Sequence, residues 1–139
     1  MKYAFFPGCV SRGGAPELYP AVVKVADKLG FELEEMRDVG CTGAGVLSRE
    51  VSDPINARTF AKAEVMGLPI MTICSTCQGI MAQANHRLQD DEYREKINQE
   101  YLSEEGLEYR GTTDVRHMLW AIVEDFGLDR LMALTEPQV

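Results

Sequence analysis

The feature that most constrains the fold of this chain is an alternation between short apolar runs and longer amphipathic stretches. Residues 2–6, 31–36 and 69–73 have the length and composition of β-strands, and residues 107–110 are a weaker fourth candidate. Apolar residues at helical spacing fill the stretches between them. Strands that alternate with helices of this length predict an α/β fold, with a mainly parallel sheet and helices on both faces.

Prolines and glycines indicate where the helices begin and end. Pro20 indicates the start of the first long helix and Gly30 its end. Asp53 and Pro54 suit the N-cap and first turn of the second helix, which Gly67 ends. Further helices are predicted at residues 78–88, 91–104 and 112–127. The residues predicted to face the core are Val22, Val25, Ala26, Leu29, Ile55, Phe60, Ala63, Ile80, Met81, Ala84, Leu88, Tyr93, Ile97, Tyr101, Val115, Met118, Leu119, Ile122, Val123 and Phe126.

Size and charge narrow the classes of function. We expect residues 1–139 to form one domain, since this length is enough for a core of its own. The formal net charge of -8 argues against nucleic acid and anionic membrane surfaces, which require a basic footprint. No apolar run has the length of a signal peptide or a membrane span, which predicts a cytoplasmic protein without membrane insertion. Thiols stay reduced in that compartment, so cysteines there serve mainly as metal ligands or redox groups.

Four cysteines occur in the chain, and they follow the predicted strands. Cys9, Cys41 and Cys74 each come after one strand, and Cys77 lies at a helix entrance in "CSTC". Ligand sites of open α/β sheets form at the carboxyl ends of the strands. We therefore predict that the four sulfurs converge at the C-terminal edge of the sheet.

The surroundings of these cysteines favour a bulky, anionic ligand site. Glycines precede Cys9 and surround Cys41 in "DVGCTGAG", where they let the backbone approach a ligand closely and turn N–H groups toward sulfur. Four thiolates suit an iron–sulfur cluster or tetrahedral zinc. A thioredoxin-type dithiol at Cys74 and Cys77, or cysteines that merely pack in the core, are the remaining interpretations.

The combined spacing resembles a known family. "YAFFPGC", then 31 residues, Cys41 in "GCTGAG", 32 more residues and "CSTC" are similar to the cysteine-rich CCG domain of heterodisulfide reductase B subunits. That family's pattern is a first Cys, then Cys-Cys-Gly, then Cys-x-x-Cys. "ANHRLQDDEYREKINQEYL" and "DVRHML" also resemble the first half of the B subunit, so the resemblance covers essentially the whole chain. The family usually carries two such domains in one polypeptide, and residues 1–139 are similar to the first.

One position departs from the family's motif. Cys41 matches the first Cys of Cys-Cys-Gly, and Thr42 stands where the second would be. The resemblance implies a noncubane iron–sulfur cluster on five cysteines, and four of those roles remain. A hydroxyl is a hard, weakly acidic group that does not replace a soft thiolate, so Thr42 is expected beside the site without ligating metal. The four thiolates suffice for a 4Fe–4S cluster, noncubane-derived or ordinary, or for a 2Fe–2S cluster, with zinc as the alternative. The residues concerned are Cys9, Cys41, Cys74 and Cys77.

The resemblance implies an oxidoreductase role. It implies an iron–sulfur-binding subunit of a heterodisulfide-reductase-like complex, with electron transfer to or from a disulfide or thiol substrate. The implied partners are the iron–sulfur C subunit and the flavin-bearing A subunit. The alternative is a structural zinc-binding or docking module of such a complex without catalysis of its own.

The C-terminal region offers a further partner surface. Trp120 lies about 100° from Leu119, off the main apolar stripe of the predicted last helix. We expect self-association, or binding of a second CCG domain, through residues 120–134. The competing interpretation is that Trp120 covers the core of its own monomer. His86 and His117 are expected to face solvent or a partner and not to ligate metal.

Overall fold

The computed structural model describes residues 1–8 and 14–135. Within these residues the centre of the molecule is a parallel sheet of four strands in the order β2-β1-β3-β4. The strands are β1 (Lys2–Phe6), β2 (Glu32–Glu35), β3 (Ile70–Thr72) and β4 (Val115–His117). Each neighbouring pair is parallel, which confirms the predicted α/β fold with a parallel sheet.

Helices connect the strands and follow the last one. They are α1 (Leu18–Leu29), α2 (Arg49–Met66), α3 (Ser75–Arg87), α4 (Asp91–Ile97), α5 (Met118–Trp120) and α6 (Leu128–Thr135). A π-helical segment, Asn98–Leu102, continues α4, and a second, Ala121–Gly127, joins α5 to α6. None of the helices in the described ranges is both long and apolar enough to cross a membrane.

The two faces of the sheet carry separate cores. Along β1 the side chains of Ala4 and Phe6 pack with α2 and α3, whereas those of Tyr3 and Phe5 pack with α1 and the C-terminal helices. β2 and β3 lie on opposite sides of β1. Right-handed crossovers therefore place α1 and α2 on opposite faces of the sheet. Helices cover both faces, as predicted.

The two glycines predicted to end helices do so, whereas the two prolines lie at other positions in their helices than predicted. Gly30 and Gly67 adopt left-handed φ values of 78° and 70° and end α1 and α2. α1 begins two residues before Pro20, which still falls in the first turn, where its missing N–H costs no intrahelical bond. Pro54, predicted in a first turn, lies inside α2, where its ring nitrogen cannot donate the helical hydrogen bond.

The second helix begins earlier than predicted, and Asp53 is not its N-cap. α2 starts at Arg49, after Ser48 in an extended conformation. Asp53 is fully buried, and its carboxylate accepts hydrogen bonds from Arg87 at 2.9 and 2.7 Å and from the Tyr93 hydroxyl at 2.6 Å. The side chain that suggested an N-cap therefore joins α2 to α3 and α4.

The predicted strand at residues 107–110 is wrong, and the fourth strand lies further on. The Tyr109 N–H donates to Oδ1 of Asn98 at 2.9 Å, and the Tyr109 carbonyl accepts from Asn98 Nδ2 at 2.9 Å. A side-chain amide thus takes the backbone hydrogen bonds that a neighbouring strand would otherwise make. Residues 115–117, predicted as helix, pair with β3, so helical structure begins only at Met118.

A π-helical turn changes which residues of the fourth helical region face inward. In a regular α-helix Tyr93, Ile97 and Tyr101 share one face. Tyr101 is instead 48% exposed, and Leu102 is 2% exposed. The wider turn of Asn98–Leu102 advances the buried position by one residue.

The same shift occurs near the C-terminus. Ala121 and Phe126, five residues apart in a π-helical segment, are buried. Leu119 and Val123, predicted to face the core, are exposed, as is Val25 on α1. The predicted core residues that the structure does bury are Val22, Ala26, Leu29, Phe60, Ala63, Met81, Ala84, Leu88, Ile97, Met118 and Phe126.

The buried carboxylate of Asp53 leads to a prediction about stability. Asp53→Asn keeps the side-chain shape but removes the charge that pairs with Arg87. We expect the free energy of unfolding to fall by about 3 kcal/mol, because one member of a buried ion pair is lost. Urea denaturation followed by circular dichroism measures this loss. Asp91→Asn is the matched control, since its exposed pair with Arg94 should contribute little. Equal effects of the two substitutions would contradict the prediction.

The same carboxylate should make stability depend on pH in the acid range. Burial opposes ionisation of Asp53, but hydrogen bonds from Arg87 and Tyr93 outweigh it and lower the pKa of Asp53 below its ordinary value of 3.8. The stabilisation is therefore present above that value and is lost as the pH falls through the lowered pKa. Asp53→Asn should remove this part of the acid dependence, which urea denaturation of both proteins at a series of acid pH values measures.

Candidate functional site

Three of the four cysteines lie at the C-terminal edge of the parallel sheet. Cys41 is in the loop between β2 and α2, Cys74 follows β3 as the N-cap of α3, and Cys77 is in the first turn of α3. All three thiols are free. Cys9, which comes after β1 in the sequence, lies outside the described residues.

The end of β1 passes directly against the Cys-x-x-Cys pair. A Cβ placed on Gly8 would lie 3.6 Å from Sγ of Cys77 and 4.0 Å from Cβ of Cys74. The φ of Gly8 is +77°, a conformation that residues with a side chain rarely adopt. The two cysteines therefore occupy the crevice between β1 and β3, where the strand order reverses and α/β folds form their ligand sites.

The two thiols of this pair have opposite pKa shifts. Burial opposes ionisation of Cys74, but hydrogen bonds from Cys77 and from Thr76 at the start of α3 outweigh it and lower the pKa of Cys74. Burial raises the pKa of Cys77 to about 11, although a hydrogen bond from Thr42 acts in the other direction. Cys41 lies close enough for its charge to raise the pKa of Cys77 further. The charges of Cys41 and Cys74 therefore both act on the thiol of Cys77.

The loop that carries Cys41 is pressed against α2. A Cβ on Gly40 would lie 2.6 Å from Cγ2 of Ile55, and one on Gly43 would lie 3.2 Å from Cβ of Ser52. Cys41 itself is exposed, and the Gly43 N–H donates to its sulfur at 3.4 Å. The N–H of Gly43 thus turns toward sulfur, as the sequence suggested, whereas the close approach that Gly40 and Gly43 allow is to α2.

Thr42 is buried beside the cysteine pair. Its side chain is 0% exposed, and its hydroxyl donates to Sγ of Cys77 at 3.6 Å. Its carbonyl accepts a hydrogen bond from Nδ2 of Asn56 at 3.2 Å. Asn56, fully buried in α2, was not identified from the sequence, and its Oδ1 has no hydrogen-bond partner among the described residues. No sequence pattern distinguishes a buried asparagine from the exposed polar residues of an amphipathic helix.

The two histidines lie at the end of a helix and at the end of a strand. His86 is exposed near the end of α3, and Nδ1 of His117 accepts from the Leu119 N–H as the cap of α5. Among residues 1–8 and 14–135, no group of three or more Cys, His, Asp or Glu side chains is arranged to hold a metal ion.

A cleft gives solvent access to Cys41. It has a volume of about 230 Å³ and opens between the ends of β1 and β2. Phe6, Met36 and Val39 line its apolar side, and Asp38 and Cys41 lie on its wall. A small molecule in this cleft would contact the Cys41 side of the site.

Comparison with known proteins assigns the family. The model of the CCG cysteine-rich domain matches residues 3–82, which is more than half of the chain and includes all four cysteines. The chain belongs to the CCG cysteine-rich domain family. The resemblance found in the sequence is therefore confirmed at the level of the domain.

Several curated proteins are similar to the chain over most of its length. The 8-methylmenaquinol:fumarate reductase membrane anchor subunit of Wolinella succinogenes is 35% identical over 129 residues, covering 89% of this chain and 44% of that protein. A protein of Archaeoglobus profundus, similar by its name to the B subunit of heterodisulfide reductase, is 30% identical over 136 residues, covering 94% and 45%. The B subunit of the ferredoxin/F(420)H(2)-dependent CoB-CoM heterodisulfide reductase of Methanosarcina acetivorans is 28% identical, covering 98% and 47%. The chain thus spans about half the length of the curated relatives it matches.

Proposed function

We propose that this CCG domain is an iron–sulfur-binding subunit of a heterodisulfide-reductase-like redox complex. The observation that carries the proposal is the placement of Cys41, Cys74 and Cys77 at one sheet edge, next to a strand whose continuation contains Cys9. Relatives named as subunits of heterodisulfide reductases and of a fumarate reductase support the redox context.

The donor set fits an iron–sulfur cluster. Thiolates are soft ligands that select iron–sulfur clusters or zinc over hard cations. Cys9 would complete a set of four with the three described cysteines, enough for a 4Fe–4S cluster, noncubane-derived or ordinary, or a 2Fe–2S cluster. Gly8 leaves the space beside the Cys-x-x-Cys pair free of a side chain. A cluster bound there would supply one-electron transfer.

The chain's own residues would prepare the site for that chemistry. Cys74 and Cys77 lie at the N-terminus of α3, whose N–H groups carry positive partial charge that stabilises anionic sulfur. Burial of Cys77 excludes water from that side. The cleft beside Cys41 would admit a disulfide or thiol substrate to the opposite, open side.

Iron and sulfide content tests this proposal. Protein purified without oxygen should contain iron and acid-labile sulfide, and Cys74→Ser or Cys77→Ser should lose most of both, because a hydroxyl is a poor ligand for these clusters. Ser75→Ala, between the same two cysteines, is the matched control and should retain full content. Wild-type protein without iron would contradict the proposal.

Zinc in a docking module is the second candidate function. The observation that favours it is Thr42, which is buried and hydrogen bonded where the family's motif has a cysteine, so the site has one thiolate fewer. Four thiolates are a usual set for structural zinc. About one zinc per chain, without iron or sulfide, would establish this candidate in the same measurement.

Restoring the family's cysteine provides a further test. Thr42→Cys would place a fifth thiol next to Cys77, where the threonine hydroxyl lies now. We expect the cluster type to change after anaerobic reconstitution, visible in its EPR or Mössbauer spectrum. Thr42→Ser, which adds no thiol, should keep the wild-type spectrum. If Thr42→Cys has an unchanged spectrum and equal iron content, position 42 is not part of the ligand shell.

The proposed partners follow from the same relatives. By their names these relatives are B subunits, or similar to them, which supports a place in a larger complex. We propose the iron–sulfur C subunit and the flavin-bearing A subunit that the resemblance implies as the partners. Because those relatives are about twice as long, a second CCG domain or a second copy of the chain is a further proposed partner.

A surface for this last partner lies in the C-terminal helices. Trp120 is 55% exposed and Leu119 is 65% exposed, so Trp120 does not serve mainly to cover the monomer's own core. Large apolar side chains are exposed throughout residues 119–134, a concentration that is typical of contact surfaces. These residues, the C-terminal apolar face, are Leu119, Trp120, Val123, Leu128, Met132 and Leu134.

Self-association through the C-terminal apolar face can be measured by light scattering. The wild type should have a mass above that of the monomer, and Trp120→Ala should lower it, because a buried tryptophan carries much of the binding energy of an interface. Val65→Ala is the matched control, since Val65 is also exposed but lies on α2. A wild type that is monomeric at high concentration would contradict self-association.

A further inference from the structure

We propose that Thr42 is a fixed hydrogen-bond donor to the sulfur of Cys77 and thereby raises the reduction potential of the metal centre that Cys77 helps to hold. This inference rests on the proposed function, because it assumes an iron–sulfur centre with Cys77 among its ligands. It assigns position 42 a tuning role in place of the ligand role that a cysteine would have there.

The direction of the hydrogen bond follows from the partners of the hydroxyl. The Ala44 N–H donates to Oγ1 of Thr42 at 3.4 Å, which occupies one acceptor position of that oxygen. A hydroxyl has one proton to donate, and the acceptor that the structure shows for it is Sγ of Cys77 at 3.6 Å. The proton therefore points at the sulfur.

The backbone around Thr42 is held in place from two sides. Nδ2 of Asn56 donates to the Thr42 carbonyl at 3.2 Å from within α2. Gly43, with a φ of +96°, packs so closely that an added Cβ would lie 3.2 Å from Cβ of Ser52. Ala44 has a φ of +49°, which is uncommon for a residue with a side chain. The position of the hydroxyl is thus set by the fold.

Burial makes this hydrogen bond effective. Thr42 is 0% exposed and Cys77 is 7% exposed, so water does not compete for the sulfur. Hydrogen bonds to the sulfurs of an iron–sulfur centre help to set its potential. The reduced centre carries one more negative charge, so a donor stabilises it more than the oxidised centre and raises the potential.

Two substitutions separate the hydroxyl from the packing of the side chain. Thr42→Val has nearly the same shape but lacks the donor, and Thr42→Ser keeps the donor but lacks the methyl group. In the anaerobically loaded full chain, Thr42→Val should lower the ratio of reduced to oxidised centre at a fixed potential about tenfold. This corresponds to a reduction potential that is lower by about 59 mV for one electron. Thr42→Ser should stay close to the wild type. EPR-monitored redox titration measures the potential, and iron analysis of the same samples verifies equal loading.

Each outcome of this experiment has a defined meaning. An unchanged potential in Thr42→Val overturns the inference, and so does a shift in Thr42→Ser as large as that in Thr42→Val. If Thr42→Val fails to load, Thr42→Ala is titrated in its place. If neither variant loads, Thr42 is a structural residue and the tuning role is wrong. An iron-free wild type contradicts the proposed function itself, whereas an iron-loaded wild type with unmoved variants contradicts only the inference.

Discussion

The arrangement of the site depends on β1 pairing with β2 on one side and β3 on the other. This reversal of strand order sends the connecting helices to opposite faces and leaves a crevice at the carboxyl ends of β1 and β3. Gly8 at the end of β1 meets the Cys-x-x-Cys pair in that crevice. Two segments that are distant in sequence, the residues after β1 and the start of α3, therefore approach one another because of the topology, with no need for a long dedicated loop.

Cys41 reaches this edge by a different route, through a loop held against α2. Several residues of the loop have positive φ values. Its glycines Gly40 and Gly43 pack so closely that they leave little or no room for a side chain. Asn56 of α2 donates a hydrogen bond to the backbone carbonyl of Thr42 in this loop. The side-chain hydroxyl of Thr42 donates to the sulfur of Cys77. The buried Asp53 carboxylate joins α2 to α3 and α4 by hydrogen bonds. The helix that packs against the Cys41 loop is therefore linked directly to the helix that carries Cys74 and Cys77.

Sequence patterns predicted the features that follow from local rules. Strand composition predicted the first three strands, and Gly30 and Gly67 indicated the helix ends because a left-handed residue is needed there. Since parallel strands end at the same edge of a sheet, the position of Cys41, Cys74 and Cys77 at that edge could be predicted from the order of strands and helices, and Cys9 lies outside the described residues. Contacts distant in sequence could not be predicted in this way. Asn98 takes the backbone bonds of Tyr109, and π-helical turns shift the buried face from Tyr101 to Leu102.

The sequence predicted only part of the candidate site, for a physical reason. Cysteine identity and spacing indicate a candidate metal centre, whereas a residue such as Asn56, which lies beside the candidate site, has no feature in the sequence that distinguishes it from other helix residues. Thr42 could be predicted in part. Its departure from the family's motif indicated a position at the site, but the sequence did not show which atoms its hydroxyl contacts.

The burial of Cys77 limits what the site can be. A thiolate in an apolar environment is costly unless cations or hydrogen-bond donors surround it, and burial raises the pKa of Cys77 to about 11. The Thr42 hydroxyl and the N-terminus of α3 supply partial positive charge, but neither supplies a full unit of charge. A metal cation would supply the remainder, because a coordinated thiol is deprotonated outright. The same buried sulfur that ionises poorly as a free thiol would therefore suit a metal ligand, and the Thr42 hydroxyl beside it would act on the charge of a metal bound there.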